Sequence, residues 1–272
     1  MLNSVIGLVP AAGRGARISP LPCSKELFPL GLVPGATGAE PRVRVVAEYL
    51  LEQFRTAGIA RVMIILRQGK WDIPAYFGDG TAFGLDIAYM VIDGSSGPPA
   101  TVARAFGFVG EQLVAFGFPD IICTPPDIYA RLLARQRATG ADAVLGLFPA
   151  HDPRVMDMVR TDASGRVTDL DLKPATTDLT FAWACAVWAP AFSRFLHDFV
   201  NSDAAGEARR QGGRRIDAQG DLPAGAVVQA AVRQGLHIDS VAFPDGTYLD
   251  IGTPADLARA MHNHRTSAAA AP

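Results

Sequence analysis

Between Ala11 and Lys25 the chain sets three cations beside a run of small residues: Ala11-Ala12-Gly13-Arg14-Gly15-Ala16-Arg17, then Lys25. Side chains this small let backbone N–H groups approach a ligand closely, and Arg14, Arg17 and Lys25 bring the charge that a polyphosphate along those amides requires. Two aspartates far downstream belong to the same inventory. Asp120 follows the apolar run Leu113 to Phe118, and Asp250 precedes the helix-start signal Thr253-Pro254. Beyond the carboxyl end of a strand in a parallel sheet, an aspartate is well placed for a metal ion.

The cation loop matches neither familiar nucleotide motif. A Walker loop needs Gly-x-x-x-x-Gly-Lys-Ser/Thr and a dinucleotide fold needs Gly-x-Gly-x-x-Gly, whereas after Gly15 the next glycine is Gly31. Pro20, Pro22 and Pro29 forbid a long helix, so the segment reads as an extended, ordered loop. A plain turn after a strand is the competing interpretation of Gly13-x-Gly15 taken alone.

The elements that must position these residues follow from periodicity. Val5 to Val9 and Arg61 to Leu66 read as buried strands joined by a helix over Val43 to Ala57, a parallel crossover. Gly31 to Pro41 reads as an irregular surface segment. Asp86 to Ile92 is a further strand, followed by Asp93 to Thr101, either a second ligand-facing loop or a connecting turn. Asp127 to Thr139 is helical, with Arg131, Arg135 and Arg137 on a solvated face. In the second half, Met158 to Thr161 and Arg166 to Leu172 flank the turn Asp162-Ala-Ser-Gly165, so antiparallel structure enters the sheet. Phe181 to Trp188 is another strand, Pro190 to Val200 a helix, and Ser202 to Gly220 a long mobile loop whose arginines are either solvated or close on phosphate. The fold class expected is α/β: a mixed, mainly parallel central sheet flanked by helices, with a small antiparallel insertion.

Composition bounds the function. At 272 residues and 49% hydrophobic, the chain can bury one large core, and no internal repeat or linker divides it, so residues 1–261 read as one domain with a disordered tail over 262–272. With 25 Lys+Arg against 27 Asp+Glu, no global basic field argues for nucleic acid. Cys23, Cys123 and Cys185 are scattered without a C-x-x-C pair, which fits a reducing compartment and argues against structural zinc. No apolar run is long enough to span a membrane. The cytoplasm is the expected compartment, and homo-oligomerisation is left open.

Three separated segments together resemble the sugar-1-phosphate nucleotidylyltransferases, with coverage from about Val5 to Leu257. Pro10-Ala-Ala-Gly-Arg-Gly-Ala-Arg17 with Lys25 and Pro29 is similar to the superfamily's glycine-rich signature, in the form found in bacterial glucose-1-phosphate uridylyltransferases. Gly97 to Asp120 resembles the superfamily's span from base-binding loop to metal aspartate, with Pro119-Asp120 where thymidylyltransferases more often have Gly-Asp. Tyr248-Leu-Asp250-Ile-Gly252-Thr253-Pro254 resembles the closing motif. The resemblance implies a Rossmann-like nucleotidyltransferase fold. It implies nucleotide binding by Ala11, Ala12, Gly13, Arg14, Gly15 and Gly97, catalysis by Arg17 and Lys25, Mg²⁺ held by Asp120 and Asp250, and an acceptor phosphate gripped by Lys173. The partners implied are an NTP, with UTP or dTTP favoured, and a small phosphorylated acceptor.

Departures bear more on the substrates than on the reaction, and the threonine usual before the signature arginine is Ala16 here. The family's glutamate before Lys173 is Leu172 here, one of its glycines is Asp157, and another, under the sugar, is Cys185; both replacements would fill space a pyranose needs. The glutamine that reads the base has no counterpart near Val91 to Gly97. A sugar 1-phosphate is the leading acceptor. One alternative is a cytidylyltransferase for a non-sugar phosphate or phosphonate, with Trp183 or Trp188 stacking on a cationic head group; another is a non-catalytic nucleotide-sensing domain.

Overall fold

The computed structural model describes residues 4–33, 40–212 and 220–269. Thirteen strands run in chain order among these residues: β1 (Val5–Ala11), β2 (Pro29–Val33), β3 (Arg42–Val45), β4 (Arg61–Arg67), β5 (Asp86–Ile92), β6 (Leu113–Gly117) and β7 (Ile121–Thr124), then β8 (Ala143–Pro149), β9 (Asp157–Thr161), β10 (Val167–Leu172), β11 (Phe181–Trp188), β12 (Ile238–Ala242) and β13 (Thr247–Asp250). Nine form one mixed sheet. Its parallel half is β6-β1-β4-β5, flanked by helices, and β11 joins it antiparallel to β6. On its other edge β11 pairs with β8, which continues in parallel to β12. The ribbons β7–β13 and β2–β3 are separate antiparallel sheets.

The sheet is buried on both faces, as its unalternating strands require. In β4, Ile65 enters one core with Leu8, Val114 and Trp188, while Ile64 and Leu66 enter the other with Phe54 and Tyr129. Each such side chain, withdrawn from water, contributes roughly 2 kcal/mol before conformational entropy is set against it. Helix Val46–Thr56 lies so close to β1 that a Cβ on Gly7 would come within 2.8 Å of the Phe54 ring. That contact fixes β1, and with it the start of the cation loop.

The hairpin β9–β10 is held apart from the parallel half. It meets β11 through the single ladder pair Ala182–Met158, whereas β6 occupies the same edge of β11 from Cys185 to Trp188. The hairpin therefore stands just beyond the carboxyl end of β6, where Asp120 emerges.

Several expectations are corrected. The predicted helix from Val43 begins only at Val46, because Arg42 to Val45 pairs with Pro29 to Val33 across what reads as an irregular segment; residues 34–39 of that segment lie outside the described residues. Ser202 to Gly220 contains the helix Asp203–Gly212, anchored by fully buried Ala205, and Arg214 and Arg215 lie outside the described residues. The final helix, Pro254–Ala269, continues through most of what reads as a tail. Arg135 and Arg131 are not merely solvated. Arg135 makes a two-pronged contact with buried Asp239, at 2.7 and 3.0 Å, and Arg131 lies 4.5 Å over the Phe243 ring. Among the described residues, no helix is long and apolar enough to cross a membrane.

Candidate active site

β1 is an inner strand of the parallel half, between β6 and β4, and the chain leaves its carboxyl end at Ala11 and Ala12, both buried. Gly13 follows in the open, with no atom within 4 Å of where a Cβ would stand, so packing does not demand a glycine there. Gly15 has φ +64°, a left-handed conformation that favours glycine. Arg14 and Arg17 are exposed on the loop. A cleft of about 300 Å³ opens beside it, lined by Gly13, Arg14, Gly15 and Lys25 on one wall and by Gln68 and Lys70 on the other.

Lys25 is set by anchors on either side. Asp72 accepts hydrogen bonds from the Ser24 N–H at 2.7 Å and from its hydroxyl at 2.8 Å, and Leu27 is buried two residues later. The Lys25 ammonium is thereby directed onto Asp120, in direct ion contact, with only 16% and 14% of the two side chains exposed. Burial works against the Lys25 charge, but Asp120, aided by Glu26 and Asp250, outweighs it and holds the amine above its ordinary pKa. Burial likewise opposes the Asp120 anion, and contact with Lys25 keeps it below the usual carboxylate value.

Asp250 reaches the same place from the other end of the chain. The β7–β13 ladder pairs Asp250 with Ile121, and the Ile251 N–H donates to the Asp120 carbonyl at 3.1 Å. Gln53 on the helix Val46–Thr56 donates to the Cys123 carbonyl at 2.6 Å and ties this ribbon to the core. Burial, and then the negative charge of Asp120, push the Asp250 carboxyl up to about 6, against the pull of Lys25, the Gly252 N–H and Arg17. A Cβ on Gly252 would lie 3.1 Å from the Arg17 guanidinium and 2.9 Å from Asp250 Oδ1, so that glycine leaves room for both. Arg17, Lys25, Asp120 and Asp250 thus form one charged cluster, which meets the cleft through Lys25.

Such a cluster suits a divalent cation. Two carboxylates, one made reluctant to ionise by the other, match a hard ion that takes one or two carboxylates and completes its shell with water and phosphate oxygens. Among the described residues no group of three or more acidic, His or Cys side chains offers a fuller protein-only cage.

With this geometry in place, the comparisons with known proteins are specific. A family model described as nucleotidyl transferase matches residues 6–267. The chain belongs to the nucleotidyl transferase family. A glucose-1-phosphate thymidylyltransferase of Actinoplanes sp. is 27% identical over 263 residues, covering 94% of this chain and 76% of the relative. A low-salt glycan biosynthesis nucleotidyltransferase of Haloferax volcanii is 26% identical over 259 residues, covering 93% of this chain and 64% of that relative. The fold of an apo UDP-glucose pyrophosphorylase superposes with a TM-score of 0.75 at 14% identity, covering 97% of this chain and 99% of the other. Membership of the sugar-1-phosphate nucleotidylyltransferase superfamily, inferred from three motifs, stands.

Other predicted site residues of this nucleotidyl transferase lie elsewhere. Gly97 has φ +103°, and a Cβ there would strike the Leu222 carbonyl oxygen at 2.6 Å, so its lack of a side chain serves the packing of the 93–97 loop on Leu222. Lys173 lies at the end of the β9–β10 hairpin with φ +45°, and its charge acts on Asp157. Cys185 does not fill an acceptor space. A bulge between Trp183 and Cys185 turns its thiol into the core on the helix Ile128–Thr139 side, against Gly146 and Tyr129. Trp188 is likewise core, with its indole N–H donating to the Ser193 hydroxyl at 2.9 Å.

Sequence reasoning passed over the opposite wall of the cleft. Lys70 donates to Glu26 Oε1 at 2.7 Å, and Glu26 is 1% exposed with Oε2 unpartnered. The available signal was weak: a glutamate beside Lys25 on a short turn, and a lysine just past a buried strand.

Proposed function

We propose that the protein transfers a nucleotidyl group from an NTP, with UTP or dTTP favoured, to a sugar 1-phosphate, giving an NDP-sugar and pyrophosphate. The observation that carries this reading is the convergence of Arg17, Asp120 and Asp250 on Lys25, which itself lines a cleft bordered by the open backbone at Gly13. The relatives named thymidylyltransferase and uridylyltransferase support the direction of the chemistry.

Each residue then has a task. The loop Ala11 to Gly15 offers N–H groups to the nucleotide, and Arg14 and Arg17 bind phosphate oxygens. Lys25 stays protonated and stabilises the negative charge that builds on the departing pyrophosphate. Lys173 holds the acceptor phosphate, and Gly97 fixes the loop that borders the nucleotide. An oxygen of the acceptor phosphate forms a bond to the α-phosphorus while the bond from that phosphorus to the α,β-bridging oxygen breaks, its electron pair leaving with pyrophosphate. The nucleophile is already an anion, so no residue need act as its base. Asp120 and Asp250 would hold Mg²⁺, which when bound neutralises phosphate charge.

Purified protein given Mg²⁺, each NTP in turn and a panel of sugar 1-phosphates is expected to release pyrophosphate. Lys25→Ala is expected to lower kcat by about 100-fold or more. Turnover unaffected by that substitution would remove Lys25 from the mechanism, and no pyrophosphate release across the panel would remove the reaction.

A further inference from the structure

Asp157 opens β9 directly across the ladder from Leu172, one residue before Lys173. The neighbouring pair Ala182–Met158 brings Trp183 level with it on β11. Its Oδ2 accepts a hydrogen bond from the Gly225 N–H at 3.1 Å, near the start of the helix Ala224–Arg233. A Cβ on residue 225 would lie 2.4 Å from that oxygen, so a glycine is needed for the approach. Oδ1 is enclosed yet meets no hydrogen-bond donor among the described residues. Folding ordinarily pairs such atoms, and one left over calls for an explanation.

The surroundings narrow that explanation. Lys173 is the cation whose field acts on Asp157, and Asp157 is among the charges felt by the buried Tyr248 hydroxyl, alongside Asp250 and Asp120. Asp157 therefore stands within reach of the fields of both Lys173 and the charged cluster, on the side of the hairpin where an acceptor whose phosphate rests at Lys173 would lie. Leu172 and Trp183 are its neighbours across the two ladders; the leucine side chain carries no donor, and among the described residues the Trp183 indole N–H does not bond to it.

We propose that Asp157 determines acceptor specificity: Oδ1 accepts a hydrogen bond from an O–H or N–H of the same molecule whose phosphate is bound at Lys173. The inference rests on the transferase reading above and adds the chemistry its acceptor must carry. Two sources supply that donor, a ring hydroxyl of a sugar 1-phosphate and the ammonium of an aminoalkyl phosphate. An acceptor offering only an alkyl or quaternary ammonium surface at this point leaves the carboxylate unpaired and is disfavoured.

The isosteric Asp157→Asn variant tests this sharply. Its amide oxygen must face the Gly225 N–H, so the NH₂ takes the place of Oδ1 and a donor replaces the acceptor. Steady-state pyrophosphate release would be measured with sugar 1-phosphates, their single-position deoxy analogues, aminoalkyl phosphates and the trimethylated aminoalkyl phosphate. For the best acceptor, Asp157→Asn is expected to raise the acceptor KM at least tenfold and to leave the NTP KM within twofold. For the analogue lacking the decisive donor, parent and variant are expected to converge. Whether the decisive group is a hydroxyl or an ammonium identifies the acceptor class. An acceptor KM unchanged in Asp157→Asn, or an equal loss with the donor-less analogue, overturns the inference while the transferase reading stands. Asp157→Gly, checked by its thermal midpoint, provides a second variant with the same expected KM pattern. No pyrophosphate release by the parent with any acceptor overturns both readings together.

Discussion

The Lys25 ammonium is in direct ion contact with Asp120, a residue 95 positions later in the chain. This pair joins the loop after β1 to the strand end after β6, and it places a cation and an anion where the proposed transfer needs each. Both side chains are largely withdrawn from water, so neither tolerates loss of the other.

Lys25→Ala leaves the Asp120 carboxylate beside Asp250 without its contacting counter-charge, and only the more distant Arg17 and Lys70 remain. It is expected to lower unfolding free energy by on the order of 2 to 4 kcal/mol, read by urea denaturation. Lys25→Ala/Asp120→Asn should recover most of that loss while remaining inactive. A double variant no more stable than the single one would show that the ion pair is not what the substitution broke.

Asp250 makes stability depend on pH with a definite sign. Its folded value of about 6 lies above the ordinary 3.8, so the folded state keeps a proton that the unfolded chain gives up. The associated stabilisation is complete below about pH 4 and is lost as pH rises through 6. Asp250→Asn should therefore equal the parent in thermal midpoint at low pH and exceed it above pH 6. A constant offset at all pH values would contradict this origin.

Divalent cation should reverse that ordering. At pH 7.5, millimolar Mg²⁺ is expected to raise the parent's thermal midpoint, because an ion that binds only the folded state stabilises it by mass action. Asp120→Asn and Asp250→Asn should each abolish the increment. An equal rise in all three proteins would place the ion elsewhere.

Gly252→Ala puts a methyl 2.9 Å from Asp250 Oδ1 and 3.1 Å from the Arg17 guanidinium. Both are side-chain ends that can move, so the cost falls on geometry more than on stability. Pyrophosphate release should drop about tenfold or more in kcat/KM with a thermal midpoint near the parent's. Unchanged kinetics would mean that Arg17 works from another position.

Gly97→Ala meets backbone instead: the Leu222 oxygen at 2.6 Å, at φ +103°. A loss on the order of 2 kcal/mol is expected, with faster hydrogen exchange at the Leu222 amide, which donates to the Ser96 carbonyl at 2.9 Å. Unaltered exchange there would argue that the loop yields at no cost.

Much of this site could be read from the chain because its parts are local. A strand, a glycine turn and a downstream lysine declare themselves within about twenty residues, and Asp120 and Asp250 are marked by the element ends they follow. What escaped depends on distant pairing. Ile121 to Thr124 is too short to announce a strand, and becomes β7 only because Thr247 to Asp250 lies alongside it. Cys185 is expected beneath an acceptor only because it stands at a family glycine position, and the bulge after Trp183, which the linear sequence does not announce, accompanies its placement in the core. The helix Asp203–Gly212 lacks a regular apolar stripe, and its one fully buried anchor, Ala205, carries little signal.

The hairpin β9–β10 touches the strand beside it through one ladder pair, Ala182–Met158, and carries Asp157 at its first residue and Lys173 just past its last. The loop proposed to handle the nucleotide leaves an inner strand of the parallel sheet, where a change disturbs two cores. The groups proposed to face the acceptor hang from a ribbon at its margin. If those roles hold, descendants of one ancestral enzyme could revise what they modify by substitutions along one short ribbon while inheriting the means of modifying it intact.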